Sequence, residues 1–322
     1  MYQIFSVLLS FYLERLSGKK VGEISMVILK SLLSLSRAFA LLPLFYISNV
    51  SADIALLIHG FNNNAMTWQQ SGVSPYLHQQ GWYDQGTLYD QRNSVVLQSS
   101  SFGTLSGQAE KNGNKLYTVN LASRAPVAYQ SHQLRKIIHW LNQMHPAERI
   151  FLIGHSTGGL VARFALIELF QEQPQKTEPN HISGLITIAT PHLGTFRAAQ
   201  AIDAVEVPFF FPEPGWRFLE EIFAGDDYKL VKKSKSLLYE LYPTRPRNLT
   251  FWLNEQTHPQ IPYFSVVRTS GDFLVPKYSQ DMNNVPALKN RSLTWNSHSE
   301  HYLNLEDALT IHSILTILSN SP

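Results

Sequence analysis

A serine set between two glycines, Gly154-His155-Ser156-Thr157-Gly158, is the clearest chemical signal in the chain. The apolar run Ile150 to Ile153 before it predicts a strand, and the segment from Gly159 onward predicts a helix, so the glycines fall where a strand must turn sharply into a helix. Both flanking positions need to lack bulk, since strand and helix approach closely there. Such a turn lifts Ser156 Oγ above a sheet edge. At a helix amino terminus, the macrodipole and the free N–H groups also favour negative charge developing nearby. A glycine-rich turn without chemistry is the plainer interpretation, but it does not account for a strand on one side and a helix on the other.

A serine nucleophile needs a base to take its proton and an acid to fix the tautomer of that base. Asp272 fits the acid: the apolar segment Tyr263 to Val267 runs as a strand into Thr269-Ser270-Gly271, and the acid follows at its carboxyl end. Asp226, Asp227 and Asp281 lack a preceding strand. For the base, His298 and His301 stand three residues apart in Asn296-Ser297-His298-Ser299-Glu300-His301. Spacing favours His298. Leu293 reads as the last inward strand position, and Asn304 as a helix N-cap with Asp307 at the third helical position, which leaves His301 a cramped loop. His59, His155 and His192 read as structural hydrogen-bonding or packing residues.

Holding these groups together requires several more elements. Ile54 to Ile58 is a continuous apolar run, as in a parallel strand buried on both faces, and Leu116 to Leu121, Ile182 to Ile188 and Ser292 to Trp295 add further strands. Leu134, Ile137, Ile138 and Leu141 share one helix face, Leu160 to Phe170 forms a second helix, and Leu305, Ala308, Leu309 and Leu315 give the buried face of a last one. Strands alternating with helices predict a mostly parallel sheet covered on both sides. Two stretches break the alternation: about 83–114, rich in Gly, Ser, Asn and Gln, and about 196–262, which carries Phe209-Phe210-Phe211, Trp216, Phe218 and Phe223. The second is a candidate lid, or equally an amphipathic wall packed on the sheet.

Composition narrows the classes further. The 322 residues are 44% hydrophobic and 12% aromatic, enough for a packed core. Of 26 basic and 24 acidic residues, five and two lie in the first 52. The body that remains carries 21 against 22, with no electrostatic footprint for nucleic acid. Cysteine is absent, so disulfides, thiolate metal sites and a cysteine nucleophile are excluded. The first 52 residues read as a signal region whose start could be Met26: Lys30 and Arg37 precede the apolar run Ala38 to Ile47, and Val50-Ser51-Ala52 offers a cleavage site. That run is short of the ~20 residues of a spanning helix, so a secreted or periplasmic product is expected ahead of one held by an uncleaved segment. The body is then a single domain over 53–322.

With Ser156, Asp272 and the histidine located, the chain resembles secreted bacterial lipases and esterases of the α/β-hydrolase superfamily. The likeness runs through Ile54 to Trp68, Gln80-Gly81-Trp82, Ile150 to Arg163, Thr190-Pro191-His192-Leu193-Gly194-Thr195 and Tyr263 to Val275. It implies an α/β-hydrolase fold with an inserted lid or cap segment, and an oxyanion hole made by the backbone N–H groups of Phe61, just past His59-Gly60, and Thr157. It implies carboxylic ester hydrolysis through an acyl-enzyme on Ser156, His298 and Asp272, with a lipid or small-molecule ester as partner and no metal or organic cofactor. A phospholipase or an acyltransferase would use the same three residues. A non-catalytic binding protein on this scaffold would be expected to lack one of them.

Overall fold

The computed structural model describes residues 52–92, 94–99, 113–176, 178–206 and 227–321. The expected signal region up to Ser51, and Phe209, Phe210, Phe211, Trp216, Phe218 and Phe223 of the candidate lid, lie outside the described residues.

Eight strands build one sheet. They are β1 (Ile54–Ile58), β2 (Trp82–Gln91), β3 (Ser94–Gln98), β4 (Asn114–Asn120), β5 (Ile150–His155), β6 (Ile182–Ile188), β7 (Tyr263–Arg268) and β8 (Ser292–Ser297), in the order β3-β2-β4-β1-β5-β6-β7-β8. Every pairing is parallel except β2 with β3. Strands β1, β5, β6 and β7 are buried at every position, which is why they stand out in the sequence as predominantly apolar segments. Alternate residues of the central strands feed two cores. Ile54, Leu56, Ile150 and Leu152 face one, and Ala55, Leu57, Phe151 and Ile153 face the other.

The helices in chain order are α1 (Thr67–Gln70), α2 (Val73–Gln79), α3 (Val127–Met144), α4 (Thr157–Glu172), α5 (Phe196–Glu206), α6 (Asp227–Lys233), α7 (Lys235–Glu240), α8 (Leu249–Glu255), α9 (Lys277–Gln280) and α10 (Leu305–Ser319). Leu134, Ile137 and Ile138 of α3 join Leu160 and Val161 of α4 on the first face of the sheet, while Leu77 of α2 joins Ile311 and Leu315 of α10 on the second. With helices on both faces of a mostly parallel sheet, this is the α/β-hydrolase fold. Helix α10 starts where Asn304 and Asp307 cap it reciprocally, as their spacing predicts.

Three expectations need correction. Leu305 and Leu309 of α10 are 55% and 49% exposed, so its buried face is carried by Ala308, Ile311 and Leu315 instead. The stretch about 83–114 does not wholly break the alternation of elements, because β2 pairs with β4 and alternates inward at Trp82, Asp84, Gly86 and Leu88. Two of those four inward positions are Asp84 and Gly86, so the period of two is invisible to a hydrophobic pattern. Leu293 is not an inward residue: it is 65% exposed, because β8 is the edge strand and its four middle positions face solvent. That strand also runs two residues past Trp295, which moves the start of the loop behind it.

Candidate functional site

Ser156 sits where β5 ends and α4 begins, with φ 52° and ψ −128°. A non-glycine residue in that region stores on the order of 1–3 kcal/mol of strain, so the surroundings must over-determine it. They do so by close packing. A Cβ on Gly158 would lie 2.4 Å from the carbonyl oxygens of Ile58 and His59, and one on Gly60 would lie 2.8 Å from Ser156 Cβ. The end of β1 is thus pressed against the elbow, and Ser156 N–H donates to the Ile188 carbonyl at 2.8 Å.

Ser156 Oγ is 3.0 Å from His301 Nε2, and His301 Nδ1 donates to Asp272 Oδ2 at 2.9 Å. The structure therefore brings Ser156 and Asp272 together with His301. It does not bring His298 to them: that ring is turned to Thr269, with Nδ1 3.1 Å from its Oγ1. The cause is the longer β8. His298 directly follows the last paired residue, Ser297, opposite Arg268, whereas His301 lies three residues further along the loop that crosses the carboxyl ends of the strands. Tyr302, Leu303 and Asn304 suffice to reach the α10 cap.

Asp272 accepts more than the histidine. Its Oδ1 takes the N–H groups of Leu274 and Val275, both at 2.9 Å, and Oδ2 takes Gln280 Nε2 at 3.0 Å. Burial alone would raise this carboxyl, but the His301 hydrogen bond and charge, with the Val275 and Leu274 amides, outweigh it and hold the group below its ordinary value. Asp281, a rejected candidate, is used elsewhere, accepting from Asn283 N–H and Thr294.

The other histidines near the site are held neutral. His155 Nε2 donates to the His301 carbonyl at 2.8 Å, its ring centroid is 5.3 Å from that of His301, and burial drives its pKa down to about 3. His59 donates to the Gly60 carbonyl and accepts from Leu121 N–H at 3.0 Å, and burial lowers it too. His192 is fully buried between Arg163 and Thr187. Neither Gln280 nor the bond from His155 to the His301 backbone carries a sequence signal. The first depends on how the short loop from β7 to α9 folds back, and the second joins segments far apart in the chain.

Phe61 and Thr157 line the same pocket as Ser156 and His301, a space of about 800 Å³ including its open mouth. Asn62, Asn63 and Arg197 are polar wall residues, while Ala198 and Ala201 of α5, Leu238 and Leu241 at α7, and Leu274 and Val275 make an apolar wall. The described parts of 196–262 are therefore pocket wall in part, a role the sequence does not single out from core. No three His, Asp or Glu side chains gather into a metal-holding group among the described residues. Chemically, the arrangement offers a serine hydroxyl with its base and acid aligned, beside a partly apolar pocket.

Comparison with known proteins agrees in kind. Residues 51–211 match the family described as "Putative serine esterase (DUF676)". No curated protein matches. Among solved structures, the propeptide form of a Bacillus licheniformis lipase is similar over 84% of this chain and 51% of its own, with 13% identity and a TM-score of 0.51. A Listeria innocua gene product is similar over 84% and 90%, at 13% identity and TM-score 0.48. A Legionella pneumophila phospholipase is similar over 72% and 45%, at 15% identity and TM-score 0.48.

Proposed function

Since the chain belongs to the DUF676 serine esterase family, we propose that it hydrolyses carboxylic esters of medium or long acyl chains through Ser156, His301 and Asp272. One observation carries the reading: an unbroken hydrogen-bond line from Ser156 Oγ through the His301 ring to Asp272 Oδ2, with links of 3.0 and 2.9 Å. His301 Nε2 takes the Ser156 proton as Oγ attacks the ester carbonyl. The tetrahedral oxyanion forms beside the amino terminus of α4, where the N–H groups of Thr157 and Phe61 are the candidate donors. His301 then protonates the departing alkoxide, and water repeats the sequence to free the acid and Ser156. Asp272 keeps the Nδ1–H tautomer throughout and stabilises the imidazolium.

The apolar wall supports a hydrocarbon substrate. Ala198 and Ala201 are small, so they leave space that a chain can fill. The expected leader further supports a secreted or periplasmic enzyme whose body opens at Asp53, the residue Arg149 grips with two hydrogen bonds of 2.9 and 3.0 Å. Amino-terminal sequencing of exported protein should read Asp53-Ile54-Ala55; an intact leader on a membrane-bound product refutes it.

The test of activity is a rate profile on p-nitrophenyl esters from two to sixteen carbons for the native chain and Ser156→Ala, with fluorophosphonate labelling located by mass spectrometry. A loss on the order of 10⁴ or more in Ser156→Ala, and label on Ser156 alone, are expected. Undiminished hydrolysis by the purified variant overturns the assignment.

A further inference from the structure

We propose that Gln280 is a positioning residue for this reaction, holding the Asp272 carboxylate by donating to the same oxygen that receives His301 Nδ1–H; this rests on the triad reading above. Gln280 closes α9 and is 1% exposed, so water does not compete for its amide. Its Oε1 accepts from the backbone N–H of Arg268 at 2.8 Å, while Nε2 donates to Asp272 Oδ2 at 3.0 Å and to the Val275 carbonyl at 2.7 Å. The amide orientation follows from chemistry. A backbone N–H can only donate, so the oxygen must face Arg268, and the nitrogen must face the carboxylate and the carbonyl.

The consequence is a carboxylate with no freedom to turn. Oδ1 is fixed by the amides of Leu274 and Val275, and Oδ2 is shared between His301 and Gln280. Without Gln280, the His301 bond alone would locate Oδ2, and that bond changes character each time the ring gains or loses its proton. A neutral donor suits this position. A cation there would drain charge from Asp272 just where the imidazolium needs it, and a carboxylate would repel it.

Arg268 extends the same device to the base. Its backbone N–H holds Gln280, while its guanidinium, fully buried, binds Asp307 at 2.6 and 2.9 Å and Ser297 Oγ at 2.9 Å under the loop that carries His301. One residue at the end of β7 thereby sets the acid on one side and the base loop on the other.

The test compares Gln280→Met, which keeps length and loses both donors, with Gln280→Glu, which donates only while protonated. Gln280→Met should lower kcat by about tenfold or more with KM within about threefold, and slow fluorophosphonate labelling of Ser156 by the same factor. Gln280→Glu should keep most activity at acid pH and lose it as its carboxyl ionises, a descending alkaline limb absent from the native enzyme. Native kcat in Gln280→Met overturns the proposal. So does an equal loss in both variants at every pH, since a purely structural amide would change the melting temperature and leave the pH profile alone. If Gln280→Met does not fold, the Gln280→Glu profile decides by itself. Ser156→Ala is run alongside: activity surviving that change refutes the triad reading, whereas an inactive Ser156→Ala with an unaffected Gln280→Met refutes only the role of Gln280.

Discussion

At the scale of residues, the two histidines of the β8 to α10 loop separate sharply. His301 shares hydrogen bonds with both Ser156 and Asp272, whereas His298 meets Thr269 at an exposed position. His301→Ala should therefore cost about as much as loss of Ser156, on the order of 10⁴ in kcat, while His298→Ala should cost roughly tenfold or less. The reverse ranking in parallel assays would return the base to His298. Ser156 is legible in the sequence because its elbow is local, a strand, two glycines and a helix within ten residues. Asp272 is legible because a buried strand delivers it. His301 is not, since its position depends on where an edge strand ends, and the alternation of Leu293 and Trp295 in β8 marks no inward face, because both lie among its four exposed middle positions.

At the scale of elements, a pH-sensitive joint links α7, which contributes to the apolar wall, with α3. Glu240 of α7 accepts the Val127 N–H at the start of α3 at 2.7 Å. Burial nonetheless raises its pKa from 4.5 to about 7, the hydrogen bond offsetting only part. With a folded value above the unfolded one, the folded state holds the extra proton between those limits, so stability falls as pH rises from about 4.5 to about 7 and stays low above it. Glu240→Gln keeps an acceptor for Val127 and removes the titration. It should match the native protein near pH 5 and melt higher near pH 8; a gap of equal size at both values contradicts a raised carboxyl. The wall itself yields a second expectation. Ala201→Phe should reduce kcat/KM on twelve- to sixteen-carbon esters far more than on acetate, the overpacking costing about 1–3 kcal/mol of stability. Equal loss on all chain lengths in the ester series would place the acyl group elsewhere. The segment about 196–262 stood out beforehand, but its wall residues did not, because small and aliphatic residues on a helix look alike whether they face a core or a pocket.

Across the whole molecule, the central sheet and its two cores were readable from five apolar runs, and His59, His155 and His192 were readable as structural residues, but His258 and the partners that hold these rings were not, since they come from other segments of the chain. His59, His155, His192 and His258 are each 0–1% exposed. Desolvation is the first cause of depression in all four: His155 falls to about 3, His258 to about 2, and His59 and His192 fall below 6.5. Two of them surround Arg163, a fully buried cation whose acceptors are His258 Nε2, His192 Nδ1, the Leu253 carbonyl and Asn254, and whose own pKa burial lowers to about 9. Protonating either ring would remove an acceptor from that guanidinium and place like charges together in the interior. Because these folded values lie below the unfolded 6.5, the unfolded chain binds more protons as pH drops, and stability is lost progressively below about pH 6.5. Each histidine contributes up to about 1.4 kcal/mol per pH unit in that range, enough together to overwhelm the opposite trend of the single Glu240. Urea unfolding followed from pH 7.5 to 5 should show stability falling with a slope of more than one proton below pH 6. His258→Gln preserves both roles of the ring, an acceptor for Arg163 Nε and a donor to the Gln256 carbonyl at 2.7 Å, without the titration. It should flatten that slope by about one proton, and a slope left unchanged would mean that the His258 ring does not stay neutral at a cost to the folded state.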